Sequence, residues 1–368
     1  MNIYFNQNIP FVSESLSDSC ICYTNSHIDN QYLINNNIKA LFIRSNEKIT
    51  PELLKNTDID FIVTATSGTD HISQGIKHYS IPGANANSVA EYVVFSVSKY
   101  LIANSLNPIN LTIGIIGYGN IGKLVAYYAN QMGIKVLIND PPLLDEGGVF
   151  PNYVQHVSLD QILIQSNIIT NHIPLTKDGK YPTYNLLDYN KLRLIEPNSL
   201  LVHSSRGGII DEEALKAIAV EKHLTLAIDV WSNEPQIDLD LLKLAMFATP
   251  HLAGYSYNGK IKASFIALNY FEKHTGIIPN YSILENEFHQ IKIDETTDFS
   301  NINDLYTKLD KYRKFSEDNL KFREIVEQNT DSCADTFKLI RKNYPKRYES
   351  LKPPRELEII YKLFGKVI

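Results

Sequence analysis

The chain has 368 residues, 21% of them charged and 44% hydrophobic, with a formal net charge of −6. That length suffices for two or three domains, and the balance is that of an ordinary globular protein. A negative net charge argues against a general nucleic-acid binder, whose footprint is basic.

The first residues, Met1 to Gln7, carry neither the basic region nor the long apolar core of a signal peptide. No apolar run nears the roughly 20 residues needed to cross a bilayer, so no membrane association is expected. Ile3 to Phe5, Ala40 to Ile43 and Phe61 to Thr64 read as strands of a first α/β unit. Between them Cys20 and Cys22 alternate as they would on one face of a strand. With only Cys333 elsewhere, buried thiols in a reducing cytoplasm are the expectation, and no metal. A long helix is expected from Asn87 or Ser88, both good N-caps, through Leu101, and Asn107-Pro108 ends that segment.

Next comes the strongest local pattern. Leu111 to Ile116 reads as a buried strand that runs into Gly117-Tyr118-Gly119-Asn120-Ile121-Gly122. The following residues place Ile121, Leu124, Val125, Tyr128 and Met132 on one helical face, closed by Gly133. Ile134 to Asn139 then forms a second strand ending at Asp140. In such a unit the first glycine permits the turn and the second lets a pyrophosphate approach. The third lets helix pack on strand, and the acid accepts from an adenosine ribose. Asp140 would repel a 2′-phosphate, so the expected cofactor is NAD.

Further strands alternate with helices at Asn167 to Asn171, Leu200 to Ser204, Leu226 to Val230 and Met246 to Ala248. That is the pattern of a doubly wound parallel sheet, whose ligands bind beyond the carboxyl ends of the strands. Arg206, Asp229 and His251 fall at or just past such ends. Hydride removal from a 2-hydroxy acid needs a cation for the carboxylate, a base for the hydroxyl proton and a partner for that base. Arg206 can clamp a carboxylate through its planar fork, and His251 titrates near neutrality. Glu234 can hydrogen-bond the histidine. These three are the candidate catalytic residues.

Tyr257 to His274 reads as a helix stopped by Gly276. From about residue 285 the chain is rich in Lys, Arg, Glu and Tyr with amphipathic runs such as Leu305 to Phe315, and large apolar residues persist to Phe364. Tyr306, Leu309, Tyr312, Phe315, Leu320, Phe322, Phe337 and Tyr344 exceed what a solvated tail displays. A small domain that pairs two copies of the chain accounts for them.

The ordered series of glycine turn, Asp140, Arg206, Glu234 and His251 resembles the D-isomer-specific 2-hydroxyacid dehydrogenase family. The resemblance extends to Arg44-Ser45, Thr64 to His71, Pro82 to Ala86, Pro174 to Gly179, Thr249 to Tyr255 and Phe337 to Tyr344. It implies a Rossmann-type NAD-binding domain over 93–261 and a flavodoxin-like α/β substrate domain over 1–92 and 262–284. A small C-terminal dimerisation domain would take 285–368. It further implies catalysis by Arg206, Glu234 and His251 on a phosphorylated hydroxy acid, in a homodimer. Ser45, Thr66 and Tyr255 would contact substrate. Gly117, Gly119, Asn120, Ile121, Gly122, Asp140, Ile173, Asp229 and Gly254 would contact NAD. Ile173 departs from the resembled pattern, which carries a threonine there; only a backbone contact survives that change. Two other readings remain open at this point: a dehydrogenase of another D-2-hydroxy acid, such as 3-phosphoglycerate, or a non-catalytic NAD(H) sensor.

Overall fold

A computed structural model describes residues 1–291, 297–328 and 333–359. Phe364 lies outside them. The chain divides into two compact units. The first holds Met1–Ala86, Ser256–Ile293 and the described part of Pro353–Ile368; the second holds Asn87–Tyr255 and the described parts of Asp294–Lys352.

In the first unit five parallel strands, β1 (Asn2–Phe5), β2 (Ile21–Tyr23), β3 (Ala40–Ile43), β4 (Phe61–Thr64) and β5 (Tyr79–Ser80), lie in the order β2-β1-β3-β4-β5. This is the flavodoxin-like order. The central strands β3 and β4 are buried throughout, as parallel strands covered on both faces must be. One face packs Tyr4, Leu41, Ile43 and Ile62 against Leu33 and Ile49. Phe42 and Phe61 meet Phe271 of the helix Tyr257–Thr275 at ring-centre distances of 5.4 Å each. That helix is capped by Ser256, whose hydroxyl accepts from Gly259 N, and ends where Gly276 turns left-handed.

The second unit has seven parallel strands: β6 (Thr112–Ile116), β7 (Lys135–Asn139), β8 (Val154–His156), β9 (Ile168–Asn171), β10 (Leu200–His203), β11 (Thr225–Ile228) and β12 (Phe247–Ala248). Their order, β12-β11-β10-β9-β6-β7-β8, reverses direction between β6 and β9. That reversal is the switch point at which doubly wound sheets bind ligands.

Three strands lack a clear signature in the sequence: β2, β5 and β8. All are edge strands of two or three residues. An edge strand is covered on fewer sides and needs no continuous apolar run. Position on an edge also leaves Cys22 only half-buried, whereas Cys20 is buried as expected. The helix Ala86–Ala103 begins before its expected caps. Asn87 and Ser88 lie inside it and bond elsewhere: Asn87 Nδ2 donates to Glu349 Oε2 and Leu351 O, and Ser88 Oγ to Ala253 O.

The late helices differ most from expectation. Instead of standing apart from the NAD-binding core, Phe322, Val326, Cys333 and Phe337 share one apolar cluster with Trp231, Ile228 and Ile237. Leu309, Phe315, Phe322 and Phe337 are buried within the second unit itself. Arg313, fully buried, completes the arrangement. Its Nη1 meets Glu91 Oε2 at 2.6 Å, and Nη2 donates to Ser88 Oγ at 2.8 Å and to the carbonyls of Ala253 (3.3 Å) and Tyr255 (3.2 Å). The other Glu91 oxygen accepts from the backbone N–H groups of Ser350 and Leu351. Burial pushes the Glu91 carboxyl up from its usual range, against the pull of Arg313. No helix among the described residues is long and apolar enough to cross a membrane.

Candidate active site

The glycine turn closes β6. Gly117 is left-handed (φ 93°), and a Cβ there would come within 2.7 Å of both the His172 carbonyl and Ile173 Cγ2. Ile173 thus packs over the first glycine. A Cβ at Gly122 would collide with the Gly117 carbonyl oxygen, so the third glycine is needed for the helix Asn120–Gln131 to lie on the strand. Gly119 has nothing within 4 Å of where a Cβ would stand, and as N-cap it offers no side-chain bond. The N–H groups of Asn120 and Ile121 open that helix. Open space over unsatisfied N–H groups fits a pyrophosphate.

Asp140 follows β7. Its Oδ2 accepts from Tyr118 N in the glycine turn (2.7 Å), and Oδ1 accepts from Leu143 N (3.0 Å), capping a short helix. The capping role was not anticipated from the motif. Each oxygen keeps a lone pair, so the residues present fit a dinucleotide with a free ribose 2′-hydroxyl.

On the other side of the switch point, the loop after β10 carries Arg206. A Cβ at Gly207 would collide with the Trp231 carbonyl, so glycine lets this loop pass against the next one. Arg206 Nη1 donates to Ser205 O at 2.7 Å. Beneath it Ser205 Oγ bonds Asn171 Oδ1, and the Asn171 amide lies 3.1 Å from His203 Nδ1.

Glu234 and His251 are brought together. His251 Nδ1 and Glu234 Oε2 are 2.8 Å apart, with side chains 29% and 21% exposed. A carboxylate only accepts, so Nδ1 carries the proton and the Nε2 lone pair is left for chemistry. Glu234 Oε1 accepts from Trp231 N at 3.0 Å. Burial alone would raise the Glu234 carboxyl. The charge and hydrogen bond of His251, the Trp231 N–H and the charge of Arg341 outweigh that and hold it below the usual range. Two other histidines lie deeper in the same unit. Burial pushes His172 and His203 down to about 3, so both are neutral; His203 is buried and His172 half-buried.

Asp229, an expected NAD contact, also holds the loop after β12. It is buried, and its carboxylate accepts from Thr249 Oγ1, Leu252 N and Ala253 N, while its carbonyl accepts from His251 N at 2.7 Å. It holds the loop that presents His251. Gly254 and Tyr255 follow in the same loop, where Tyr255 N donates to Leu252 O. Tyr255 Oη lies 3.2 Å from Arg341 Nη2. Arg341 was missed from sequence; its one signal was the i, i+4 spacing from Phe337 on the helix Cys333–Lys342.

Ser45 and Thr66 belong to the first unit. Ser45 is exposed in a turn braced by Glu47, which accepts from Arg44 N at 2.8 Å and from Tyr4 Oη. Thr66 Oγ1 donates to Gly68 O at 2.8 Å and lies 2.7 Å from Thr64 Oγ1.

Residues 98–253 match the NAD-binding domain of the D-isomer-specific 2-hydroxyacid dehydrogenases. Among solved structures, the D-lactate dehydrogenase of Aquifex aeolicus, complexed with NAD and lactic acid, is similar in fold. It has a TM-score of 0.59 at 24% identity, over 79% of this chain and 97% of that one. Fold, site and match define an NAD-dependent oxidoreductase of the D-2-hydroxyacid dehydrogenase class.

The relatives narrow it further. The erythronate-4-phosphate dehydrogenase of Coxiella burnetii is 34% identical over 95% of this chain and 93% of its own length. That of Acinetobacter baumannii is 32% identical over 95% and 98%. The chain belongs to the erythronate-4-phosphate dehydrogenase family.

Proposed function

We propose that this protein oxidises 4-phospho-D-erythronate to 2-oxo-3-hydroxy-4-phosphobutanoate with NAD, within pyridoxal 5′-phosphate (vitamin B6) biosynthesis. The observation that carries the reading is the Glu234–His251 pair, standing in a chain akin to its named relatives over nearly full length. Gly117, Gly119, Asn120, Ile121, Gly122 and Asp140 would hold NAD, with Ile173 and Gly254 contributing backbone, and the cofactor when bound would supply the hydride acceptor. Asp229 serves the same site by fixing the His251 loop. Arg206 orients the substrate carboxylate. His251 Nε2 takes the C2 hydroxyl proton as the C2–H electron pair departs as hydride and the C2–O bond becomes a carbonyl. Glu234 stabilises the imidazolium that forms.

A substrate panel tests the reading. NADH formation should favour 4-phospho-D-erythronate over its unphosphorylated analogue and over 3-phosphoglycerate; equal rates on all three would sink it. Ser45, Thr66 and Tyr255 are proposed as hydroxyl contacts to substrate. Ser45→Ala should weaken the phosphorylated acid selectively, by roughly 1–3 kcal/mol for a bond to a charged group. Equal loss on both acids would assign Ser45 to folding instead.

Glu234→Gln should shift the pH profile. Removing the carboxylate destabilises the imidazolium, so the histidine gives up its proton at lower pH and the base form persists further into acid. The acid limb of log kcat/KM therefore moves to lower pH while the maximum falls. A limb that stays in place would remove Glu234 from the proton-transfer step.

A homodimer is part of the same proposal. Its apolar support is now smaller, since Phe315, Phe322 and Phe337 are buried inside the chain. Leu320 and Leu339 remain, each 56% exposed. Sedimentation at micromolar concentration giving the mass of one chain would overturn it. We also place the protein in the cytoplasm, on its three sparse, unpaired cysteines; recovery from another cell fraction would count against that.

A further inference from the structure

Arg341 is held unlike three other arginines of the second unit. Arg313 pairs with Glu91 at 2.6 Å and Arg347 with Asp318 at 3.3 Å, while Arg323 donates to the carbonyls of Leu242 and Ala245. Among the described residues Arg341 has no carboxylate within ion-pair distance. Its Nη2 reaches Tyr255 Oη at 3.2 Å, and its buried Nε, like those of Arg313 and Arg347, has no partner among the described residues. The guanidinium carbon lies 5.5 Å from the Tyr255 ring centre and 5.6 Å from that of Phe337. Its charge also helps hold the Glu234 carboxyl down, and Tyr255 stands four residues after His251.

A cation packed against two aromatic rings keeps its orientation, and this one keeps most of its donors unspent. A planar fork of that kind matches a phosphate or carboxylate in two parallel bonds. Arg206 already serves the carboxylate in the function proposed above, on which this inference rests. We propose that Arg341 binds the phosphate end of the substrate, with the Tyr255 hydroxyl beside it, and so sets the preference for a phosphorylated acid. An acid without phosphate leaves the same donors unpaired at a partly buried position, and unpaired donors are what turn a contact into discrimination.

The experiment compares wild type, Arg341→Gln and Arg341→Lys on 4-phospho-D-erythronate and D-erythronate, with inorganic phosphate as a competitive inhibitor. The ratio of kcat/KM for the two acids should fall roughly 10- to 100-fold in Arg341→Gln, mainly through KM on the phosphorylated acid. Inhibition by inorganic phosphate should weaken by a similar factor. Arg341→Lys should recover part of both, and it reads the same ratio should the glutamine variant fail to fold. An unchanged ratio and unchanged phosphate inhibition would overturn the role of Arg341. Equal losses on both acids would overturn it too, making Arg341 a brace for Tyr255. A wild type indifferent to the phosphate would sink the proposed substrate itself, a result distinct from failure at Arg341 alone.

Discussion

His251→Asn is expected to lower kcat by a factor of about 10² to 10⁴, the usual worth of a positioned general base. NAD affinity should barely change. Asparagine suits the test because His251 sits in the left-handed region at φ 58°, where asparagine is tolerated better than most residues. The loop would also keep its anchors, since Asp229 binds Leu252 N and Ala253 N whatever stands at 251. A loss of turnover can then be read as lost chemistry rather than lost structure. His172 and His203 cannot substitute, because burial holds both neutral. Single-turnover rates and NAD titration check this. Near-full activity at every pH would remove His251 as the base.

Arg313→Met is expected to cost about 3–5 kcal/mol of stability, the penalty for leaving a buried charge without its partner. Glu91 would keep its place among the Ser350 and Leu351 N–H groups but lose the cation that balances it. The same substitution removes donors to the carbonyls of Ala253 and Tyr255, just after His251. Turnover should therefore fall in the variant even at temperatures where it remains folded. Arg313→Met combined with Glu91→Leu should regain part of the stability, because the stranded charge is gone, while the loop stays unsupported. Denaturant unfolding with parallel assays separates these effects. Loss below about 1 kcal/mol would mean that water or a backbone shift satisfies Glu91 instead.

Both predictions rest on features that differ in how far the sequence reveals them. The glycine turn, Asp140 and the strands from β6 to β12, apart from β8, were legible because each rests on a short-range rule. A left-handed or close-packed position selects glycine, a strand buried on both faces is uniformly apolar, and functional groups gather past strand ends. The same rules singled out Arg206, Glu234 and His251. They could not say that Glu234 and His251 lie 2.8 Å apart, because that distance depends on how two separate loops approach.

Only the tertiary structure decided what the C-terminal segment does. Its amphipathic helices have apolar faces that read the same whether they cover a second copy of the chain or the chain's own sheet. Leu309, Phe315, Phe322 and Phe337 turn out to be buried at home. Asp229 shows the same limit: its place past β11 suggests a ligand contact and gives no sign that its carboxylate also holds the Thr249 hydroxyl and the Leu252 and Ala253 N–H groups. Arg313 and Arg341 reach Tyr255, just after those residues, from 58 and 86 residues away along the chain. Little local marks such residues beyond a spacing such as that of Phe337 and Arg341, because an arginine is soluble anywhere on a surface and acquires its role only from what folding packs against it.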